Sequence, residues 1–384
     1  MEERICFVTR HLEGESMAAL CREFGISRKT GHKVFARYRE HGLEALGDQS
    51  RRPRRNANRL PMPVEARIVA LKQEKPHWGA RKLRELLAKR LGPGVPVPVR
   101  STIHAVLDRH GLVEHPRARP PRATGTPLSQ PAAPNDLWCT DFKGEFRLGN
   151  RRWCYPLTAT DQAARYLLMV EALESTQEAP VFTAFYRLFE ERGLPVAIRS
   201  DNGTPFASRG LYGLSRLSVW WLRLGIRIER IAPGRPQQNG AHERMHLTLK
   251  QETCRPAAEN SLQQQARFDD FRDEFNTERP HEALGMKTPA EVYTPSPRAF
   301  TGLPELEYPL HDRDIVVPAS GVISLHGRPV VISSVLAGQR LGLREVETDV
   351  WLVSFMHYDL GYIDLEARSL QIIDNPFAAA PPLP

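Results

Sequence analysis

Cysteine is scarce in this 384-residue chain: Cys6, Cys21, Cys139, Cys154 and Cys254 are scattered, odd in number and free of any C-x-x-C pair. That excludes a disulfide framework and a cysteine zinc site as organising devices. Long apolar runs are missing too, and the opening MEERICFVTR lacks the apolar stretch of a secretory signal, so a cytoplasmic protein with no membrane contact is expected. Hydrophobic residues at 41% and charged residues at 26% are ordinary for a folded soluble chain and argue against general disorder. At this length two to four domains are expected rather than a single core.

The formal charge of +8 conceals a segregation, because residues 1–130 carry 26 Lys and Arg against 13 Asp and Glu, while the remainder carries 27 against 32. A basic first third points to a polyanion, since Lys and Arg that neutralise phosphates release counterions. Two Pro/Arg-rich stretches, within 47–63 and 114–134, read as exposed basic linkers.

Ser16 to Glu23 reads as a helix, Phe24-Gly25-Ile26 as a turn and Ser27 to Tyr38 as a second helix capped by Ser27, which is helix-turn-helix spacing over a domain 1–46. Gly25 supplies a positive φ, and Leu20, Ile26, Val34 and Phe35 the inner face. Arg28, Lys29, Thr30, Lys33 and Arg37 lie on the second helix, whose early turns meet base edges in this motif. A second helical domain is expected over 64–113, with helices near Val64–Gln73, Ala80–Arg90 and Ser101–His110, the last capped by Ser101. Arg81, Lys82 and Arg84 make its middle helix basic, which suits either another DNA-reading helix-turn-helix or a three-helix bundle with a solvated face.

From Asn135 the pattern changes to strands at Leu137–Phe146, Trp153–Thr160 and Tyr166–Glu171, then helix, strand, helix, strand and two helices to Asn276. This is an α/β layer architecture, expected over 135–295. Residues 310–374 show short β-rich runs that read as a small barrel of about five strands, followed by a disordered tail, 375–384.

Three acidic residues stand out. Asp141 sits in a strand between Trp138, Cys139 and Phe142, where a charge is costly unless it faces a site. Asp201 follows the strand Ala197–Ser200, at the carboxyl end where α/β folds place ligand groups. Glu243 follows the Pro/Gly-rich stretch 232–240 near the start of a helix. Taken singly, each also reads as a strand-end charge, an Asx-turn residue and a helix-N-terminus charge. Asp161 also ends a strand, but its Asp-Gln-Ala-Ala-Arg setting reads as a hairpin turn bearing a solvated charge.

Trp138-x-x-Asp141-Phe142-Lys143-Gly144, Ser200-Asp201-Asn202-Gly203-x-Pro205-Phe206, Pro236-x-x-Asn239-Gly240-x-x-Glu243-Arg244 and Asn276-x-x-Arg279-Pro280-His281-x-Ala283-Leu284 occur in that order. In these blocks the chain resembles the DDE transposases and retroviral-type integrases, and within them bacterial insertion-sequence transposases. The resemblance implies a multidomain fold: α-helical helix-turn-helix N-terminal domains, an α/β ribonuclease-H-like catalytic core with a mixed five-stranded sheet, and a small C-terminal β-barrel. It also implies that Asp141, Asp201 and Glu243 hold two Mg²⁺ ions, with Mn²⁺ able to substitute, Asp141 bridging the pair. Charge supports the implication, because converging carboxylates without a counter-ion raise each other's pKa and invite divalent cations. No paired His/Cys module precedes the core as in retroviral relatives, so no zinc is expected.

His246 and Lys250 lie at i+3 and i+7 from Glu243, on the same helical face. Lys250 is a candidate contact to a DNA end, and His246 either orients water or DNA or simply packs. Arg235, in the loop 233–240 that reads as a clamp on target DNA, and Arg244 are further DNA candidates. The reading is therefore a nucleoid-associated bacterial DNA transposase that binds inverted-repeat ends, nicks 3′ ends and transfers them into target DNA as a dimer or larger assembly, with a separate ATPase partner possible. The alternative is a DNA-binding regulator or domesticated protein with an inactive core.

Overall fold

The computed structural model describes residues 1–48, 60–91, 94–113, 128–232 and 235–377. Most of both expected linkers, Pro233 and Gly234 of the expected clamp and the end of the tail lie outside the described residues. The chain divides into two units, Met1–Ala66 and Arg67–Pro384. Among the described residues no helix is long and apolar enough to cross a membrane.

The first unit carries α1 (Glu2–Leu12), α2 (Met17–Glu23) and α3 (Arg28–His41). Ser16 and Ser27 cap α2 and α3 by accepting the N–H of Ala19 and Thr30, and Gly25 takes φ +60° in the turn between them. Helix α1, which sequence patterning did not single out, supplies Phe7 and Val8 to a core completed by Leu20, Cys21 and Leu46. Gly31 lets α3 approach closely: a Cβ there would lie 2.5 Å from Cys21 Sγ and 2.9 Å from Met17 Sδ. Helix α4 (Met62–Glu74) continues into the second unit, followed by α5 (Ala80–Leu91) and α6 (Arg100–Arg109), which bury Leu83, Leu87, Ile103 and Val106. Helix α6 starts one residue before Ser101, with Val99 at its N-cap, so Ser101 is not the expected cap.

The central sheet is built from β1 (Leu137–Phe142), the short β2 (Phe146–Arg147), β3 (Trp153–Asp161), β4 (Leu167–Leu173), β5 (Ala197–Ser200) and β6 (Arg227–Arg230). Its order is β4-β3-β1-β5-β6, with β2 paired to the start of β3. The β4-β3-β1 part is antiparallel, whereas β1, β5 and β6 run parallel because helices α7 (Glu178–Arg192) and α8 (Arg216–Arg223) make the crossovers. The two-residue period of β3 divides the layers: Leu157 and Ala159 enter the core with Phe185, Phe189 and Trp221 of α7 and α8. Thr158 and Thr160 face the other way, toward α9 (Gly240–Thr253). On that second face Met245 and Leu249 pack with Phe268, Phe271 and Phe275 of α10 (Ser261–Thr277). Gly193, at φ +75°, ends α7.

The α4–α6 segment is tied to this core by ion pairs. Lys75 Nζ reaches Glu274 of α10 and Glu278 just past its end at 2.8 and 3.1 Å, and Arg81 meets Glu282 at 2.9 Å.

Seven strands rather than five form the last part: β7 (Arg313–Val316), β8 (Val322–Leu325), β9 (Arg328–Val331), β10 (Arg340–Glu347), β11 (Val350–Phe355), β12 (Tyr358–Asp364) and β13 (Ser369–Ile372). Their order, β7-β10-β11-β12-β13-β9-β8, makes a nearly closed barrel-like sheet. The run IVVPASGVISL contains two strands, and the charges in RLGLREVE hide β10 from an apolar pattern. His326-Gly327, both at positive φ, form the two-residue turn between β8 and β9. The barrel's core is shared: Leu214, Val219 and Leu222 from the α8 region pack with Leu336, Leu343, Val353 and Phe355.

That shared core makes a prediction. Leu222→Ala should cost about 2–5 kcal/mol, the usual range for a buried Leu truncation, and in urea the core and barrel should still unfold in one transition. Two separated transitions, read by near- and far-ultraviolet circular dichroism, would show that the barrel is independent of α8.

Candidate active site

Strand register brings the two aspartates together. β1 and β5 run parallel with Leu137 opposite Ala197 and Cys139 opposite Arg199, so continuing the same offset sets Asp141 beside Asp201. Asp141 lies in β1 and Asp201 just past the end of β5, at the carboxyl ends of both strands. Asp201 Oδ1 accepts the N–H of Gly203 at 3.1 Å, and Asn202 Nδ2 donates to the carbonyl of Ile231 at 2.7 Å, pinning the loop to the end of β6. A Cβ on Gly203 would lie 2.8 Å from Asp201 Oδ2, which accounts for glycine there.

The third carboxylate is placed through its neighbours. Glu243 is exposed on the first turn of α9, while His242 and His246 point into the sheet. Thr158, the register partner of Asp141, donates its hydroxyl to the Asp141 carbonyl at 3.0 Å. A carbonyl only accepts, so that hydroxyl proton is committed, and both His242 Nε2 at 2.8 Å and His246 Nε2 at 2.7 Å must donate to Thr158 Oγ1. His242 is then the Nε2–H tautomer, its Nδ1 accepting from Thr160 Oγ1 at 2.7 Å. Burial holds both rings neutral, pushing His242 well below its ordinary pKa and His246 down to about 3.

A second clamp fixes the approach to α9. Arg199 of β5, almost fully buried, donates to Glu229 of β6 through Nε at 2.8 Å and Nη2 at 2.6 Å, and Nη1 reaches the Gln238 carbonyl at 3.2 Å. The loop before Glu243 is thereby held to the strand that ends at Asp201.

Burial first, then the charges of Asp201 and Glu243, push the Asp141 carboxyl up to about 7, against the N–H of Phe142. Among the described residues no Lys or Arg is ion-paired with Asp141, Asp201 or Glu243. The three are near enough to raise a carboxyl's pKa, yet among the described residues no three His, Cys, Asp or Glu side chains close into a ready ligand group. An all-oxygen donor set with no cation to neutralise it fits a hard divalent ion.

Other residues land in different places. Lys250 is half-buried on α9, close enough to Lys143 for each to feel the other's charge, with Arg255 nearby. Lys143 is two residues from Asp141, a place that the sequence pattern alone does not mark as functional. Arg28, Lys29, Thr30 and Lys33 are exposed on α3, as is Arg235 in its loop. Arg37 is not free for DNA: its Nη2 donates to the carbonyls of Ala45 and Gly47 at 2.6 and 3.1 Å. Arg81 is engaged with Glu282, and Lys82 faces a cavity against the core rather than an open helix face. His246 does not share the exposure of Glu243. Asp161 carries no solvated charge: it is fully buried and accepts the N–H groups of Asn135 and Ala164, each at 2.6 Å.

Comparison with known proteins bears on the family of the chain. Residues 131–236 and 224–289 each match an integrase core domain, residues 3–54 a helix-turn-helix domain and residues 30–107 a homeodomain-like domain. The chain is 28% identical over 284 residues, 73% of its length and 79% of the relative's, to an uncharacterized 39.2 kDa protein of insertion element IS476 from Xanthomonas euvesicatoria. It is 28% identical over 231 residues, 59% of its length and 79% of the relative's, to a 31.7 kDa protein of insertion element IS407 from Burkholderia multivorans. The chain belongs to the DDE transposase and integrase superfamily. This superfamily member is therefore a polynucleotidyl transferase of transposase or integrase type that binds DNA through its helix-turn-helix. The HTLV-2 integrase catalytic core domain, solved in complex with magnesium, aligns with 43% of this chain and 100% of its own, at 15% identity and a TM-score of 0.35.

The buried histidines set an acid limit. An unfolded histidine takes up a proton below about pH 6.5, whereas folded His246 stays neutral down to about 3, so stability should fall as pH drops across that window. The slope is up to about 1.4 kcal/mol per pH unit for each such ring. His246→Gln, which keeps an N–H for Thr158, should flatten the melting-temperature profile between pH 6 and 4; an unchanged slope would place the acid sensitivity elsewhere.

Proposed function

We propose that this chain is a DNA transposase that binds the inverted-repeat ends of a mobile element, nicks their 3′ ends with water and joins the freed 3′-OH groups to target DNA. The observation that supports the reading is that Asp201 and Glu243 stand near enough to Asp141 to add to the effect of burial in raising its carboxyl to about 7, with no Lys or Arg among the described residues ion-paired to any of the three. Both steps are displacements at phosphorus: the attacking oxygen forms the new P–O bond, the opposite P–O bond breaks and the leaving oxygen takes up a proton. Asp141, Asp201 and Glu243 would hold two Mg²⁺ ions, or Mn²⁺ in their place. Such an ion pair, when bound, activates the attacking oxygen and steadies the leaving oxygen of an in-line displacement.

The remaining roles belong to the chain itself. Lys143, two residues after Asp141, and Lys250, seven after Glu243, lie near each other and are suited to the phosphates flanking the scissile bond. The exposed Arg28, Lys29, Thr30 and Lys33 of α3 are positioned for base edges in the major groove, the mode by which a helix-turn-helix selects sequence. Joining two ends requires at least two catalytic centres, so a dimer or larger assembly on DNA follows.

With Mg²⁺ and an end-bearing duplex, native protein should give 3′ nicks and Asp201→Asn none, while end binding survives; nicking by the variant would remove Asp201 from the site. Deleting residues 1–60 should abolish selection of the end sequence. Mg²⁺ should raise the melting temperature by binding only the folded acidic group. Because Asp141 must shed a proton held to about pH 7, that rise should be small at pH 6 and larger at pH 8. A rise independent of pH, or one retained in Asp141→Asn, would overturn the assignment.

A further inference from the structure

A cavity of about 560 Å³ opens on the shoulder of α9 away from Glu243, between α9, α5, the loop 281–283 and the turn after β3. Its lining is rich in cations: Lys82, Arg165, Arg244 and Arg279 converge on it, with His281 among them. Only Arg279 has a carboxylate partner, Glu252 at 2.9 Å. Among the described residues Lys82, Arg165 and Arg244 have none. The two lining carboxylates are already engaged, Asp161 by backbone N–H groups and Glu282 by Arg81.

Two of the lining residues carry a buried nitrogen without a hydrogen-bond partner, Arg165 Nη1 and His281 Nε2. A buried polar group left without a hydrogen bond costs free energy, and a cluster of like charges costs more, so such a cluster is built for something that arrives from outside. The strain is mutual: burial, then Arg279, depress Lys82 to about 8, and burial with the charges of Lys82, Arg279 and Arg165 depresses His281 to about 3. Arg165 also stands at φ +58°, a conformation L side chains rarely take.

We propose that this cavity is a nucleotide-phosphate site, distinct from the acidic centre, in which Lys82, Arg165 and Arg244 grip the phosphate of a nucleotide that is either free or part of a DNA strand. A volume in the range of small-ligand pockets exceeds what a bare phosphate fills and leaves room for the attached sugar and base. Planar guanidinium groups suit two-pronged contact with phosphate oxygens. The strand form of the ligand rests on the transposase reading; the cavity and its unpaired cations do not.

The test uses the full chain without divalent metal, at fixed ionic strength in KCl, with pyrophosphate and dTMP as probes and melting temperature as readout. Both probes should raise it saturably, and Arg165→Gln and the exposed-side variant Arg244→Gln should each weaken the apparent affinity about tenfold or more, the scale of a lost charge-assisted contact. Lys82→Gln without ligand should melt at or above the native protein, since it relieves repulsion, and should respond less to either probe. A duplex that displaces bound dTMP would identify strand phosphates as the source; one that does not would identify a free nucleotide. No response beyond the KCl baseline, or an undiminished response in Arg165→Gln and Arg244→Gln, overturns the proposal. Nicking takes no part in this readout, so failure here and failure of the transposase reading are told apart.

Discussion

One hydroxyl group holds the acidic centre in register. Thr158 Oγ1 donates to the Asp141 carbonyl and accepts from His242 and His246, joining β1, β3 and α9 at a single buried atom. Each bond is modest, about 1 kcal/mol net, but leaving any of these donors or acceptors unpaired in the interior costs about 1–3 kcal/mol. The node therefore works chiefly by penalising every other arrangement. Because Glu243 sits between the two histidines in sequence, the orientation of α9 that satisfies Thr158 also fixes the place of Glu243, whose charge reaches the Asp141 carboxyl.

The Arg199–Glu229 pair does the same for the opposite side of the centre. A buried ion pair contributes little net stability against an apolar equivalent, yet losing one partner strands a charge at about 3–5 kcal/mol. Arg199 spends its remaining donors on the carbonyls of Ser129 and Gln238, so the stretch before the core and the loop before α9 are both tied to β5. The segments that carry Asp201 and Glu243 are thus anchored through shared buried polar contacts rather than through packing alone.

The carboxylates were legible in the sequence because their chemistry restricts both residue type and immediate setting: an Asp amid Trp, Cys and Phe, or one before Asn-Gly, carries its anomaly locally. The Ser27 cap and Gly25 were legible for the same reason. What escaped depends on distant partners. His242 is unremarkable in a helix until Thr158 and Thr160 meet it from 84 and 82 residues away. Gly31 reads as a weak helix residue until Cys21 is seen against it, and Arg37 as a DNA contact until the Ala45 and Gly47 carbonyls claim it. Asp161 misled for the converse reason: a turn-like sequence says nothing of whether the turn is buried.

Helix α9 shows how one element can serve several demands without conflict. At about 100° per residue, Glu243 and Lys250 fall close together on one face, His242, His246 and Leu249 on the buried face, and Arg244, Thr248 and Gln251 on the side lining the cationic cavity. The buried face has no freedom to rotate, because two histidine donors and the packing of Leu249 fix it. Any shift of the helix that tightened the acidic side would therefore have to move the cavity side as a rigid body. A group of carboxylates and a group of cations therefore stand on different shoulders of the same rod.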